Sequence, residues 1–224
     1  MKRGAAIHVN EKVLRWKKDG DTIILATDKE TYRCSKLIIT SGAWTNKMVP
    51  ALAQTIKITR QLMAWIKPKN PGDFSLNKFP CWMIADDESS GMYYGFPVLP
   101  IETFGKPGGL KLAYHYPGQE TDPDNVDKHI NKEEVDILRY GLEKYLPGCF
   151  ESILSTQTCL YSNTPDENFI IDFLPGYENQ VALACGFSGH GFKFVSVVGE
   201  ILAELILDGK TKQPIEFLSA KRFL

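Results

Sequence analysis

The stretch Val181-Ala182-Leu183-Ala184-Cys185-Gly186-Phe187-Ser188-Gly189-His190-Gly191-Phe192-Lys193-Phe194 sets an apolar run of strand length against a turn holding three glycines. Beyond it, Val195 to Leu207 repeats apolar residues at helical spacing until the Asp208-Gly209 stop. The segment therefore reads as a strand, a glycine turn and a helix N-terminus, the unit of an α/β layer. Glycine has no Cβ, so backbone can approach a ligand there, and the free N–H groups of a first helical turn favour an anionic or electron-rich occupant. A purely structural turn accounts for the same residues, and the segment by itself leaves both readings open.

Working outward, Ala5 to Val9, Lys12 to Trp16, Thr22 to Ala26 and Thr31 to Cys34 are predicted as strands of a meander with turns at Lys18-Asp19-Gly20 and Asp28-Lys29. Lys36 to Thr40 is an apolar strand running into Ser41-Gly42-Ala43-Trp44, with a short helix over Trp44 to Leu52. Gly42 serves equally as a tight turn. From Ile56 the character changes. Ile56 to Lys67, Cys81 to Ala85, Met92 to Pro97 and Leu110 to Tyr116 are β-rich runs between Pro, Gly and Asp loops, as in an antiparallel sheet. Asn131-Lys132-Glu133-Glu134 has capping-box spacing before a helix with Val135, Leu138, Leu142 and Tyr145 on one face. Ile153 to Tyr161 and Phe169 to Asp172 return as strands. The predicted class is α/β plus α+β: residues 1–52 and 164–224 form a nucleotide-binding layer, and residues 53–163 form a substrate-facing antiparallel sheet.

Composition narrows the function. Lys plus Arg is 26 against 27 for Asp plus Glu, so no net field draws nucleic acid or an acidic membrane. The five cysteines are odd in number and contain no CxxC pair, which argues against a disulfide framework or a metal site and suits a cytoplasmic setting. No apolar run reaches the ~18 residues of a membrane span, and Met1-Lys2-Arg3-Gly4 lacks the apolar core of a signal peptide.

Three further segments could carry chemistry. In Gly109-Leu110-Lys111-Leu112-Ala113-Tyr114-His115 the period of two puts Lys111 and His115 on one face, either an exposed polar face of the sheet or a buried cation beside a ligand. Tyr93-Tyr94-Gly95-Phe96-Pro97 supplies strand aromatics, for which core is the default at Tyr93 and Phe96. In Thr158-Cys159-Leu160-Tyr161 the same period aligns Cys159 with Tyr161; a lone strand cysteine is ordinarily a small buried apolar group.

Taken in order, the Gly-Ala-Trp turn, the Tyr-Tyr-Gly-Phe-Pro and Gly-Leu-Lys-Leu strands, the Cys-x-Tyr strand followed by Thr-Pro-Asp-Glu, and the Gly-Phe-Ser-Gly-His-Gly-Phe-Lys turn resemble the monomeric sarcosine oxidase family within the D-amino-acid-oxidase-like group. The resemblance runs through nearly the whole chain. It implies FAD as cofactor, joined covalently to the Cys159 sulfur and contacted by Gly42, Ala43, Trp44, Gly186, Ser188, Gly189, His190, Gly191 and Lys193. It further implies that Lys193 holds the substrate carboxylate, that Lys111 assists oxygen, and that His115, Tyr94 and Tyr161 shape the pocket. The implied reaction is oxidation of sarcosine or a related secondary amino acid by oxygen to an imine and hydrogen peroxide. N-methyltryptophan, pipecolate and glycated amino acids are alternative substrates within the group. The chain departs from the pattern in having no Gly-x-Gly-x-x-Gly segment. It is therefore expected to correspond to the C-terminal portion of such an enzyme, to bind FAD weakly alone, and to leave Lys36 to Thr40 and Val181 to Ala184 as strands without neighbours. A non-catalytic remnant, or a subunit needing a separate polypeptide that carries the dinucleotide-binding half, is the alternative.

Overall fold

Strands of alternating or wholly apolar residues leave backbone groups that neighbouring strands satisfy, and the described residues form three sheets. The structure, a computed structural model, describes residues 4–88, 90–116 and 118–224; Met1, Lys2, Arg3, Ser89 and Pro117 lie outside the described residues, and with them the first residues of the expected 1–52 segment and of the signal-peptide reading. In chain order the strands are β1 (Val13–Asp19), β2 (Thr22–Thr27), β3 (Thr31–Cys34), β4 (Leu37–Ile39), β5 (Lys57–Pro68) and β6 (Trp82–Ala85). There follow β7 (Met92–Phe96), β8 (Leu110–His115), β9 (Phe150–Asn163), β10 (Ile170–Phe173) and β11 (Val181–Cys185). The α-helices are α1 (Thr45–Met48), α2 (Ile101–Phe104), α3 (Lys132–Tyr145) and α4 (Val195–Asp208). Two compact units result: Met1–Lys57 with Ser162–Leu224, and Ile58–Tyr161.

In the first unit, β1, β2 and β3 form an antiparallel meander, and β11 lies between β10, antiparallel to it, and β4, parallel to it. All five residues of β11 are buried, as expected for a strand with neighbours on both sides and α4 packed on it. This corrects the expectation of unpaired strands: Val181, Ala182 and Leu183 pair with Leu37, Ile38 and Ile39. The core joins Ile171, Ala182 and Ala184 of the sheet to Val198, Ile201, Leu202 and Leu205 of α4. That helix ends where Gly209 adopts φ +73° and donates its N–H to the Leu205 carbonyl at 3.0 Å.

Two local expectations fail for physical reasons. Ala5 to Val9 forms no strand; Ile7 and Val9 are 68% and 70% exposed, and β-prone residues adopt a strand only where a pleated surface exists to pack on. The helix over Trp44 to Leu52 is broken into a 3-10 turn, α1 and a second 3-10 turn, because Pro50 drives Val49 to φ −132°, ψ 80°.

The second unit is built on one sheet of order β6-β7-β8-β5-β9. Leu62, Ala64 and Ile66 of β5 and Leu110 and Leu112 of β8 pack with Leu138 and Leu142 of α3. The start of α3 is fixed by reciprocal bonds: the Glu134 N–H donates to Asn131 Oδ1 at 2.9 Å and the Asn131 N–H to Glu134 Oε2 at 3.0 Å. Farther along, the Tyr93 ring of β7 occupies the space beside Gly141, where an added Cβ would lie 2.1 Å from it. Helix α2, at four residues, is too short to carry a periodicity in the sequence.

Candidate functional site

Residues opposite one another in an antiparallel pair point to the same side of the sheet. Tyr94 lies opposite Ala113, Phe96 opposite Lys111 and Met92 opposite His115, while Lys111 and Ala113 are in turn opposite Trp65 and Met63. Since Leu110, Leu112, Leu62 and Ala64 fill the face under α3, the alternate residues make a second face that brings Tyr94, Lys111 and His115 together. Tyr161 of β9 completes the group: its hydroxyl is 3.3 Å from the Tyr94 hydroxyl and 3.2 Å from His115 Nδ1. Tyr161 is 9% exposed, and burial pushes both phenols above the ordinary tyrosine range, so they act as neutral donors and acceptors. Burial pulls the Lys111 ammonium below the ordinary lysine range. It pushes the Cys159 thiol up, with the nearby Lys111 charge working in the opposite sense.

Lys111 and His115 are both partly buried, neither fully solvated nor enclosed. Tyr93 is buried at 2% exposure, but Phe96, expected in the core, is 39% exposed. The two are an odd number of residues apart and so cannot share a face, and Phe96 belongs with Lys111. Trp65 is a neighbour of Lys111 that the sequence does not announce, because its place in an alternating run points to Lys111 only through the adjacency of β5 and β8.

In the first unit the parallel strands β4 and β11 run out at the same edge, each into a left-handed glycine: Gly42 at φ +54° and Gly186 at φ +65°. Carboxyl ends of adjacent parallel strands are where open α/β sheets take ligands. A Cβ on Gly186 would meet the Thr164 methyl at 2.5 Å, and one on Gly191 the Phe187 ring at 2.4 Å, so both positions demand glycine. Ser188, at φ +47° and buried, donates its N–H to the Ser162 carbonyl at 2.9 Å. Its hydroxyl accepts from the Thr164 N–H at 3.3 Å and reaches the Gly186 carbonyl at 3.2 Å, so this side chain braces the turn from within. Gly189 is also left-handed, and His190 Nε2 lies 3.1 Å from the Glu167 carbonyl. Ala43 is buried beside the exposed Gly42 and Trp44. Lys193 is exposed, with Nζ donating to the His190 carbonyl at 3.0 Å. Gly42 and Gly189 expose backbone near these strand ends while Gly186 is buried, and exposed glycine backbone at such a place suits a dinucleotide. Next to the turn an apolar groove of about 280 Å³ runs between Phe169, Ile171, Val197, Ile201 and Phe217. Among the described residues no group of three or more His, Cys, Asp or Glu is placed to hold a metal ion, and no helix is long and apolar enough to cross a membrane.

Comparison with solved structures gives the class. NikD, described as an unusual amino acid oxidase essential for nikkomycin biosynthesis, matches 96% of this chain with 56% of its own at a TM-score of 0.76 and 22% identity. L-proline dehydrogenase from P. horikoshii matches 95% of this chain with 54% of its own at a TM-score of 0.71 and 24% identity. The fold is that of the D-amino-acid-oxidase-type flavin oxidoreductases. More narrowly, the sequence model of the FAD dependent oxidoreductase family matches residues 1–205, and the chain belongs to that family. It is 36% identical to the monomeric sarcosine oxidase of Streptomyces avermitilis over 99% of this chain and 56% of the relative. It is also 36% identical to the N-methyl-L-tryptophan oxidase of Salmonella dublin over 93% of this chain and 53% of the relative. The chain spans about half the length of the curated relatives it matches.

Proposed function

We propose that this chain carries the substrate-facing residues and part of the cofactor-binding backbone of a cytoplasmic oxidase acting on sarcosine or a related secondary amino acid. Its products are an imine, which water converts to aldehyde and amine, and hydrogen peroxide. The observation that carries the reading is the hydrogen-bonded Tyr94–Tyr161–His115 group on the same sheet face as Lys111. The sarcosine and N-methyltryptophan oxidases among its relatives support the substrate class.

When bound, FAD supplies the acceptor for the two electrons of the amine and passes them to oxygen. We assign its binding to the backbone at Gly42, Ala43 and Trp44 and at Gly186, Ser188, Gly189, His190 and Gly191, with Cys159 as the point of covalent attachment. Lys193 keeps donors beyond the one given to His190, since an ammonium has three, and these are assigned to the substrate carboxylate. Tyr94 and Tyr161, held neutral, and His115 orient the amine without placing a negative charge against it. Lys111 supplies a fixed positive charge for the negative charge that develops on oxygen. Peroxide release should be measured against sarcosine, N-methyltryptophan, pipecolate and a glycated amino acid. Activity confined to primary amines or hydroxy acids would end this reading.

A second reading, that the chain works only with a segment or separate polypeptide carrying a dinucleotide-binding half, is favoured by the apolar groove and by Phe192 and Val195, 92% and 62% exposed. Co-expression with the N-terminal half of a relative should raise bound flavin from little to one per chain. Full flavin content in the 224-residue chain by itself would exclude the dependence.

A further inference from the structure

Lys111 occupies the middle of a rung that crosses three strands, with Phe96 opposite it on β7 and Trp65 opposite it on β5. Its Nζ is 5.2 Å from the centre of the Phe96 ring and 5.4 Å from that of the Trp65 ring, inside the range over which an aromatic face attracts a cation. Among the described residues no carboxylate pairs with this ammonium and no carbonyl or hydroxyl accepts a hydrogen bond from it. We propose that Trp65 and Phe96 are positioning residues that clamp the Lys111 ammonium from both sides and keep it charged at a half-buried site.

The chemistry explains why rings hold it rather than a carboxylate. An acidic partner would cancel most of the field that a developing anion needs, and would take up N–H donors. An aromatic face stabilises the cation through its quadrupole, leaves the unit charge uncompensated, and leaves all three N–H groups available. Burial alone would favour the neutral amine, and that tendency is visible in the downward pull on Lys111; two ring faces oppose it. Neighbouring strands fix each ring's place, so the head of a long flexible side chain is located without a hydrogen bond. The role given to the charge rests on the oxidase reading, whereas the clamp itself does not.

The test uses the 224-residue chain, its lysines reductively methylated with ¹³C-formaldehyde and observed by NMR, with the Lys111 signal assigned by its loss in Lys111→Met. That signal should be displaced from the bulk lysine signals by the ring currents. In Trp65→Leu the displacement should shrink and the titration midpoint fall by about one pH unit, while Trp65→Phe, which keeps a ring, should restore most of both. Phe96→Leu should act in the same direction from the other side. A Lys111 signal lying among the bulk lysines in the unaltered chain would overturn the clamp, and so would equal effects of Trp65→Leu and Trp65→Phe. Where a Trp65 or Phe96 variant does not fold, the position of the assigned Lys111 signal in the unaltered chain still decides the matter, and Lys111→Arg provides the assignment if Lys111→Met does not fold. Reoxidation of the FAD-reconstituted enzyme tests the other premise: a rate unchanged by Lys111→Met would remove the oxidase role and leave the clamp standing.

Discussion

Lys111 and Lys193 carry the same charge, yet one is half-buried against two rings and the other is exposed and bonded to a carbonyl. Their loss should therefore separate by step. Lys111→Met is expected to leave reduction by substrate nearly intact and to slow reaction with oxygen by roughly 10²-fold or more, the size of one lost electrostatic contact to a developing charge. Lys193→Ala should raise KM for carboxylate substrates by roughly tenfold with little change in kcat, the signature of lost ground-state binding. Stopped-flow traces with both half-reactions equally impaired in both variants would contradict the division. Cys159→Ala should abolish flavin that remains attached on denaturation; mass spectrometry finding FAD on another residue would reassign the attachment. At this scale the period of two was enough to place Lys111 with His115 and Cys159 with Tyr161. It could not join His115 to Tyr161, 46 residues away, because strand order is a property of the assembled sheet.

Helix α3 was readable in advance because its start is written locally, in the Asn131 and Glu134 pair, and its face by spacing. Replacing that cap, Asn131→Ala, should cost about 1 kcal/mol and lower the melting temperature, measured by circular dichroism. Gly141→Ala sets two effects against each other. Alanine adds about 1 kcal/mol of helix propensity, but its methyl would strike the Tyr93 ring, an overpacking cost of roughly 1–3 kcal/mol. Net destabilisation is expected, and Tyr93→Leu in the same chain should reverse its sign. Tyr93 itself makes the unit sensitive to alkali. Burial raises its phenol to about 12 from 10.0, so the neutral form is favoured by folding. Its contribution, about 2–3 kcal/mol for a shift of that size, is complete below pH ~10 and lost as pH rises towards about 12. Tyr32 of the first unit moves in the same direction, so the measurement is the change in slope of stability against pH on Tyr93→Phe; an unchanged slope would show that Tyr93 is not the group responsible. The broken helix after Gly42 and the missing strand at Ala5 to Val9 mark where local signals fail: at a proline inside an apolar run, and where no pleated surface is available.

At the scale of the molecule, each unit has its own core, Ile171 and Leu202 belonging to one and Leu112 and Leu142 to the other. Thermal unfolding should accordingly show two transitions, with Leu142→Ala lowering one of them by roughly 2–5 kcal/mol and leaving the other in place; a single transition shifted as a whole would refute this independence. The expected division, residues 1–52 and 164–224 against 53–163, rests on the change in character near Ile56. The pairing of β4 with β11 could not be foreseen, since nothing in Leu37 to Ile39 names its partner. That pairing has a consequence for how the protein is made. On the ribosome Leu37 emerges early, but Val181 is synthesised only after every residue of the second unit. Throughout the synthesis of the second unit β4 remains an unpaired apolar segment that must be kept from other nascent chains. Slowing translation after Tyr161 should therefore lower the yield of soluble chain more than the same pause placed after Lys221, once β11 has emerged to pair with β4.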